Sequence, residues 1–188
     1  MMITTSQFKN GMALVMDGQL YVIVEFQHVK PGKGSAFVRT KLRNVRLGTV
    51  IPRTFDSGDK FEEAYIDTKK LQYSYKTGDT YHFMDLESYE EIAFPASELG
   101  TAVHYLIENL GVTGDFHQGR LVGLELPTTV ELTVTQSDPG LRGDTSKGGT
   151  KVATMETGLV IQVPLFIESG EKLKVDTRTG EYVGRASA

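Results

Sequence analysis

No cysteine occurs among the 188 residues, which removes disulfides, thiolate metal sites and cysteine nucleophiles together and fits a reducing compartment. Long apolar runs are missing too. None approaches the ~18 residues of a membrane span, and the start Met1-Met2-Ile3-Thr4-Thr5-Ser6 has no basic segment leading into an apolar one. A soluble cytoplasmic protein that meets no membrane is expected. Histidine is sparse: His28, His82, His104 and His117 are scattered, with no i, i+4 pair and no carboxylate pattern suited to zinc. Neither a G-x-S-x-G elbow nor a dinucleotide-binding fingerprint is present. The chain is therefore expected to have no catalytic residues, no metal and no cofactor, and not to be an enzyme.

The most informative absence is of negative charge. Between Glu25 and Asp56 there is no acidic side chain, although the whole protein carries a formal charge of −4. That stretch holds Lys30, Lys33, Arg39, Lys41, Arg43, Arg46 and Arg53. Residues 1–64 carry nine basic against six acidic groups, residues 65–127 four against ten, and residues 128–188 seven against eight. A basic head, an acidic middle and a nearly neutral tail imply one face that seeks phosphate and another that avoids it, so RNA is the first partner to consider.

Apolar residues recur with a period of two in short runs broken by turn residues, the pattern of an all-β protein. Met12–Met16 and Gln19–Phe26 flank Asp17-Gly18, which suits a type I′ hairpin because both central residues take positive φ. Ala36–Val45 and Thr49–Phe55 continue the first small barrel. The middle third adds Gln72–Tyr75, Tyr81–Met84 and Glu90–Phe94, then one helix, with Ser97 as N-cap, Leu99, Val103, Leu106, Ile107 and Leu110 on one face, and Gly111 as C-cap. A barrel interrupted by one helix is OB-like. Past Leu126-Pro127-Thr128 the pattern resumes with Val130–Thr135, Val152–Met155, Gly158–Ile167, Glu171–Asp176 and Glu181–Arg185, a second OB-like barrel. Three small β-barrels in series are expected, at 1–64, 65–127 and 128–188, with a rigid first junction and a looser hinge near Pro127.

Lys30-Pro31-Gly32-Lys33-Gly34-Ser35 forms the apex of the basic stretch. Pro31 fixes its φ, and the two glycines let the chain turn tightly and enter a narrow space with Lys33 at the tip. It is no Walker A loop, because Gly34 follows the lysine and a strand follows the loop. Arg39, Lys41 and Arg43 alternate and share one strand face. If all seven bases met phosphates, log affinity would fall against log salt with a slope of about −5 to −6. Tyr73, Tyr75, Tyr81 and Phe83 alternate as stacking platforms do, but the same spacing serves a barrel core, and the acidic surroundings favour the core. Residues 138–150 are too polar and glycine-rich for strand and read as a long loop of the functional kind. A general RNA-binding OB protein of the cold-shock type stays open as an alternative.

The segments KPGKGSAF (30–37), VRTKLRN (38–44), RTFDSGDKFEEA (53–64), DPGLRGDTSKGGTK (138–151) and VPLFIESGEKLKVDTRTGEYVGR (163–185) resemble bacterial elongation factor P along essentially the whole chain. Only Val112-Thr113-Gly114-Asp115-Phe116 departs from it, where a more apolar strand is usual. The resemblance implies a KOW-type barrel followed by two OB barrels in an elongated, L-shaped mimic of tRNA. Such a factor acts between the peptidyl and exit tRNA sites of the ribosome and relieves stalling at consecutive prolines. It further implies that Lys33, bare or extended by a modifying enzyme, reaches the CCA end of peptidyl-tRNA on a tip built by Lys30, Pro31, Gly32, Gly34 and Ser35. Arg39, Lys41, Arg43, Arg46 and Arg53 become candidates for the tRNA backbone, and Arg142, Gly143, Asp144 and Thr145 for the anticodon stem or exit-site codon. The factor is expected to be a monomer whose partners are both ribosomal subunits, peptidyl-tRNA and mRNA.

Overall fold

The computed structural model describes residues 1–139 and 149–187. Strands dominate it, in three sheets. The first contains β1 (Met2–Thr4), β2 (Ala13–Met16), β3 (Gln19–Val29), β4 (Phe37–Asn44), β5 (Val50–Asp56) and β6 (Lys60–Ala64), in the order β1-β6-β2-β3-β4-β5. The second contains β7 (Asp67–Thr77), β8 (Thr80–Asp85), β9 (Glu91–Pro95), β10 (Gly111–His117) and β11 (Arg120–Glu125), ordered β11-β10-β7-β8-β9. The third contains β12 (Thr129–Ser137), β13 (Thr150–Met155), β14 (Val160–Pro164), β15 (Lys172–Asp176) and β16 (Tyr182–Arg185), ordered β14-β13-β12-β15-β16. Two compact units emerge, one of residues 1–69 with 114–124 and the other of 70–113 with the rest.

Alternation explains the first core. In β4, Val38, Thr40, Leu42 and Asn44 are buried while Arg39 and Lys41 are exposed. Val38 and Leu42 join Ile3, Phe8, Leu14 and Ile23 in one cluster, and a fully buried side chain of this kind is worth about 1.5–3 kcal/mol. Phe8 packs against Phe61 at 5.5 Å between ring centroids, and Phe61 against Phe55 at 4.7 Å. The turn between β2 and β3 is as expected, with Asp17 at φ 52° and Gly18 at φ 73°.

The predicted helix from Ser97 to Leu110 does not form. Its place is taken by α1 (Ala96–Leu99) and a 3-10 turn (Gly100–His104); Pro95 holds the cap position without a side-chain bond. Gly100, at φ 56°, breaks the helix after one turn, and Asn109 at φ 67° reverses the chain again. The apolar spacing serves another purpose. Tyr105 is buried in the third sheet's core beside Val130, Leu132 and Val175, with Ile107 and Leu110 packed against that cluster. Thr157 also donates to the His104 carbonyl at 2.5 Å and Thr177 to the Pro127 carbonyl at 2.6 Å. The joint at Pro127 is thus packed rather than a bare hinge. Gly114 and Asp115 take their places in β10, Gly114 inward and Asp115 accepting from the Thr68 hydroxyl at 2.7 Å.

The turn between β15 and β16 carries a pH prediction. Asp176 accepts from the Arg178 guanidinium at 2.9 Å and from the Arg178 and Thr179 backbone N–H groups. The Arg178 side chain, more than any other group, holds its carboxyl down to about 2. A depressed folded pKa gives stability that is fully present above the unfolded value of about 3.9 and is lost as pH falls through the folded one. Asp176→Asn should therefore melt below the parent at neutral pH, with the gap closing between about pH 4 and pH 2. Thermal melts across that range check this, and a gap constant to pH 2 would refute it.

Candidate functional site

The loop 30–36 joins two strands that pair up to Val29 and Phe37, so its ends are pinned by a ladder on one side and by Ser57 N–H donating to the Ala36 carbonyl at 3.0 Å on the other. Lys30, Pro31, Gly32, Lys33, Gly34 and Ser35 are all exposed. Gly34 takes φ 103°, a conformation closed to most residues, while Gly32 needs no positive φ and a Cβ there would meet nothing within 4 Å. Lys33 makes no hydrogen bond or ion pair with any described residue. The geometry presents one ammonium group on a narrow, solvent-facing tip with its base fixed in a sheet.

Only part of the basic set lies together. Arg39, Lys41 and Arg43 project from one face of β4, opposite Thr54, Pro52 and Val50 of β5. Arg39 lies over the Phe37 ring at 5.4 Å, which holds its guanidinium near the base of the loop. Arg46 sits in the following turn, where buried Asn44 accepts from the backbone N–H groups of Arg46 and Leu47 at 3.0 and 2.9 Å. Arg53 is different. It pairs with buried Thr40, in the core-facing register between Ile51 and Phe55, so it leaves the sheet on the side opposite to Arg39. Arg142, Gly143, Asp144 and Thr145 lie outside the described residues.

The stretch without acid in sequence is not without acid in space. Glu25 faces Lys41 across the ladder and binds its ammonium at 2.8 Å, and this hydrogen bond raises the lysine pKa. Counting back in register from Val29 and Phe37 places the two opposite each other, so hairpin arithmetic is the signal that finds the pair.

The aromatic alternation splits. Tyr73 and Tyr81 are 7% exposed and Phe83 0%, as a core predicts, but Tyr75 is 48% exposed. A bulge between Tyr73 and Tyr75 shifts the register and turns Tyr75 outward. There it stacks on His82 at 4.3 Å with planes 8° apart and donates to Glu91 at 2.9 Å. His82 bridges Glu91 and the Thr77 hydroxyl. The Tyr75 hydroxyl first, and then His82, hold the Glu91 carboxyl below its ordinary range. No periodicity announces this cluster, because the bulge breaks the alternation that would carry it. Among the described residues no group of three metal-ligating side chains converges, and no helix is long and apolar enough to cross a membrane.

Three family models cover the chain: the elongation factor P KOW-like domain at residues 4–61, the elongation factor P OB domain at 66–124, and the elongation factor P C-terminal domain at 130–185. Full-length relatives agree. The chain is 54% identical to elongation factor P of Acidothermus cellulolyticus over 187 residues, covering 100% of both chains. It is 54% identical to that of Mycobacterium avium over 100% of both, and 51% identical to that of Moorella thermoacetica over 98% of this chain and 100% of the relative.

Proposed function

This chain belongs to the elongation factor P family of translation elongation factors, and from that premise we propose that it binds the ribosome between the peptidyl and exit tRNA sites and speeds peptide-bond formation at consecutive prolines. The observation that carries the reading is the exposed Lys33, which pairs with no described residue, on a loop anchored by β3 and β4. On this reading the chain comprises three barrels, 1–64, 65–127 and 128–188, and it breaks or makes no covalent bond itself. A modifying enzyme would reach Lys33 without unfolding anything, since the whole tip is exposed.

Proline is a conformationally restricted partner in peptide transfer, so the cost to be lowered is alignment. A cation on a thin loop fixes the phosphate or hydroxyl groups of the CCA end through charge-assisted hydrogen bonds. Each ~1.4 kcal/mol of alignment gained is about tenfold in rate. The outward face of β4 then meets the acceptor-arm backbone, and the Arg142–Thr145 segment the anticodon stem. The cold-shock alternative loses support, because Tyr73, Tyr81 and Phe83 are packed inside and the exposed Tyr75 ring is already stacked on His82.

The direct test adds purified protein to a translation extract depleted of it. Full-length product from a reporter with consecutive prolines should rise, while a proline-poor reporter should not respond; equal response of both overturns the reading. The charge geometry gives a second test. Arg39→Gln should lower the slope of log ribosome affinity against log salt by about 1 with the melting temperature unchanged, and Glu25→Gln, which frees Lys41, should steepen it. Arg53→Gln, on the other side of the sheet, should change the slope least.

A further inference from the structure

A cleft of about 420 Å³ opens between β7 and β8 on one side and the turn after β13 on the other, with Tyr73, Tyr81, Leu106, Glu108, Glu156 and Thr157 among its walls. Its polar inventory is not satisfied internally. Tyr73 and Tyr81 are each 7% exposed, yet neither phenol oxygen has a hydrogen-bond partner among the described residues, and neither is sealed from solvent. Each hydroxyl therefore keeps its donor and acceptor available to a group bound in the cleft.

Charge says which kind. Glu108 is exposed at the rim, and Glu156 spends only one oxygen, accepting from Thr133 N–H at 2.8 Å. Lys76 is the single basic side chain in the lining, and its ammonium lies over the Tyr81 ring at 5.2 Å, so the ring face already receives a cation. Val103, Leu106 and Ile107 add apolar wall to the same cleft. We propose that this cleft binds a linear aliphatic polyamine, its ammonium groups paired with Glu108 and Glu156 and hydrogen-bonded to the Tyr73 and Tyr81 phenols, its methylenes along Leu106 and Ile107. Burial, with Tyr81 and Glu108 nearby, raises the Tyr73 pKa, so its hydroxyl stays neutral and accepts from an ammonium donor. The ligand braces the segment 103–108 against the Glu156–Thr157 turn, adding to the bond from Thr157 to the His104 carbonyl.

Spermidine is the probe, titrated into the full chain by calorimetry and by amide chemical-shift mapping, with magnesium at matched ionic strength as the control. One saturable site, shifts centred on Tyr73, Leu106 and Thr157, and a melting temperature that rises with spermidine are expected. Glu108→Gln with Glu156→Gln should weaken binding about tenfold or more, since a hydrogen bond to a charged group is worth about 1.5–3 kcal/mol. Glutamine keeps the acceptor for Thr133, so the fold is preserved, and an unchanged melt without ligand verifies it. Tyr73→Phe should weaken binding severalfold. Absence of saturation, equal effects from magnesium, or affinity unchanged in the double variant would each overturn the proposal.

Discussion

Lys33→Ala is expected to abolish stimulation of a consecutive-proline reporter while leaving the melting temperature and ribosome affinity nearly unchanged. Stability should not move because Lys33 is exposed and bonds to no described residue, and surface changes of this kind stay within about ±0.5 kcal/mol. Affinity should fall little because one phosphate contact among several changes the salt slope by only about 1. Rate is another matter. An interaction made only in the aligned state is lost entirely from the transition state, so kcat falls without a matching change in binding. Lys33→Arg keeps the charge but replaces a compact ammonium with a broad planar fork, and it should restore little. Puromycin-type release from ribosomes stalled at prolines measures the rate, and co-sedimentation measures the binding. Full activity of Lys33→Ala would remove the tip from the mechanism; equal loss of activity and binding would make Lys33 an anchor rather than an aligning group.

Local chemistry made much of the fold legible. Asp17-Gly18 adopts positive φ at both positions, as a two-residue hairpin demands, and the alternation of β4 separates its buried from its basic residues without ambiguity. The short strands β1 and β6 escape a reading based on periodicity: β1 has only three residues, and in β6 the apolar Phe61 and Ala64 lie three apart rather than alternating. The helix from Ser97 was misread for a different reason. Leu99, Val103, Leu106 and Ile107 have helical spacing, but Tyr105 between them is taken by the core of the third sheet. A distant contact outweighs a local preference there, and Gly100 supplies the break.

The candidate site divides in the same way. The glycines and the acid-free stretch reveal the loop tip, since both are properties of neighbouring residues. Which bases share a face depends on pairing instead: Lys41 is neutralised by Glu25, and Arg53 is turned away by its register with Thr40. Bulges add a further layer. One between Ile23 and Glu25 and one between Tyr73 and Tyr75 each shift the ladder, and an inserted residue moves every later side chain to the other face.

Gly123→Ala should be strongly destabilising for a single added methyl, although Gly123 lies in a strand and needs no unusual φ. A Cβ there would sit 2.8 Å from the Val45 carbonyl oxygen and 3.3 Å from Val45 Cγ1. Neither can retreat. Val45 is 5% exposed, its N–H donates to the Leu20 carbonyl at 3.0 Å, and the preceding Asn44 is buried with its side chain bonded to Gln19 at 2.7 Å. Overpacking against backbone that cannot shift costs about 1–3 kcal/mol. Each kcal/mol lowers the melting temperature of a 60–100-residue domain by roughly 4–8 °C, so a drop of several degrees to about 20 °C is expected. Gly32→Ala is the control: its Cβ would meet nothing within 4 Å, and its melt should match the parent. Amide exchange locates the damage, and protection should fall first at Asn44 and Val45, which close the turn that presents Arg46. A Gly123→Ala protein melting with the parent would mean that β11 slides away from Val45 at no cost, and that the turn carrying Arg46 is not held from beneath.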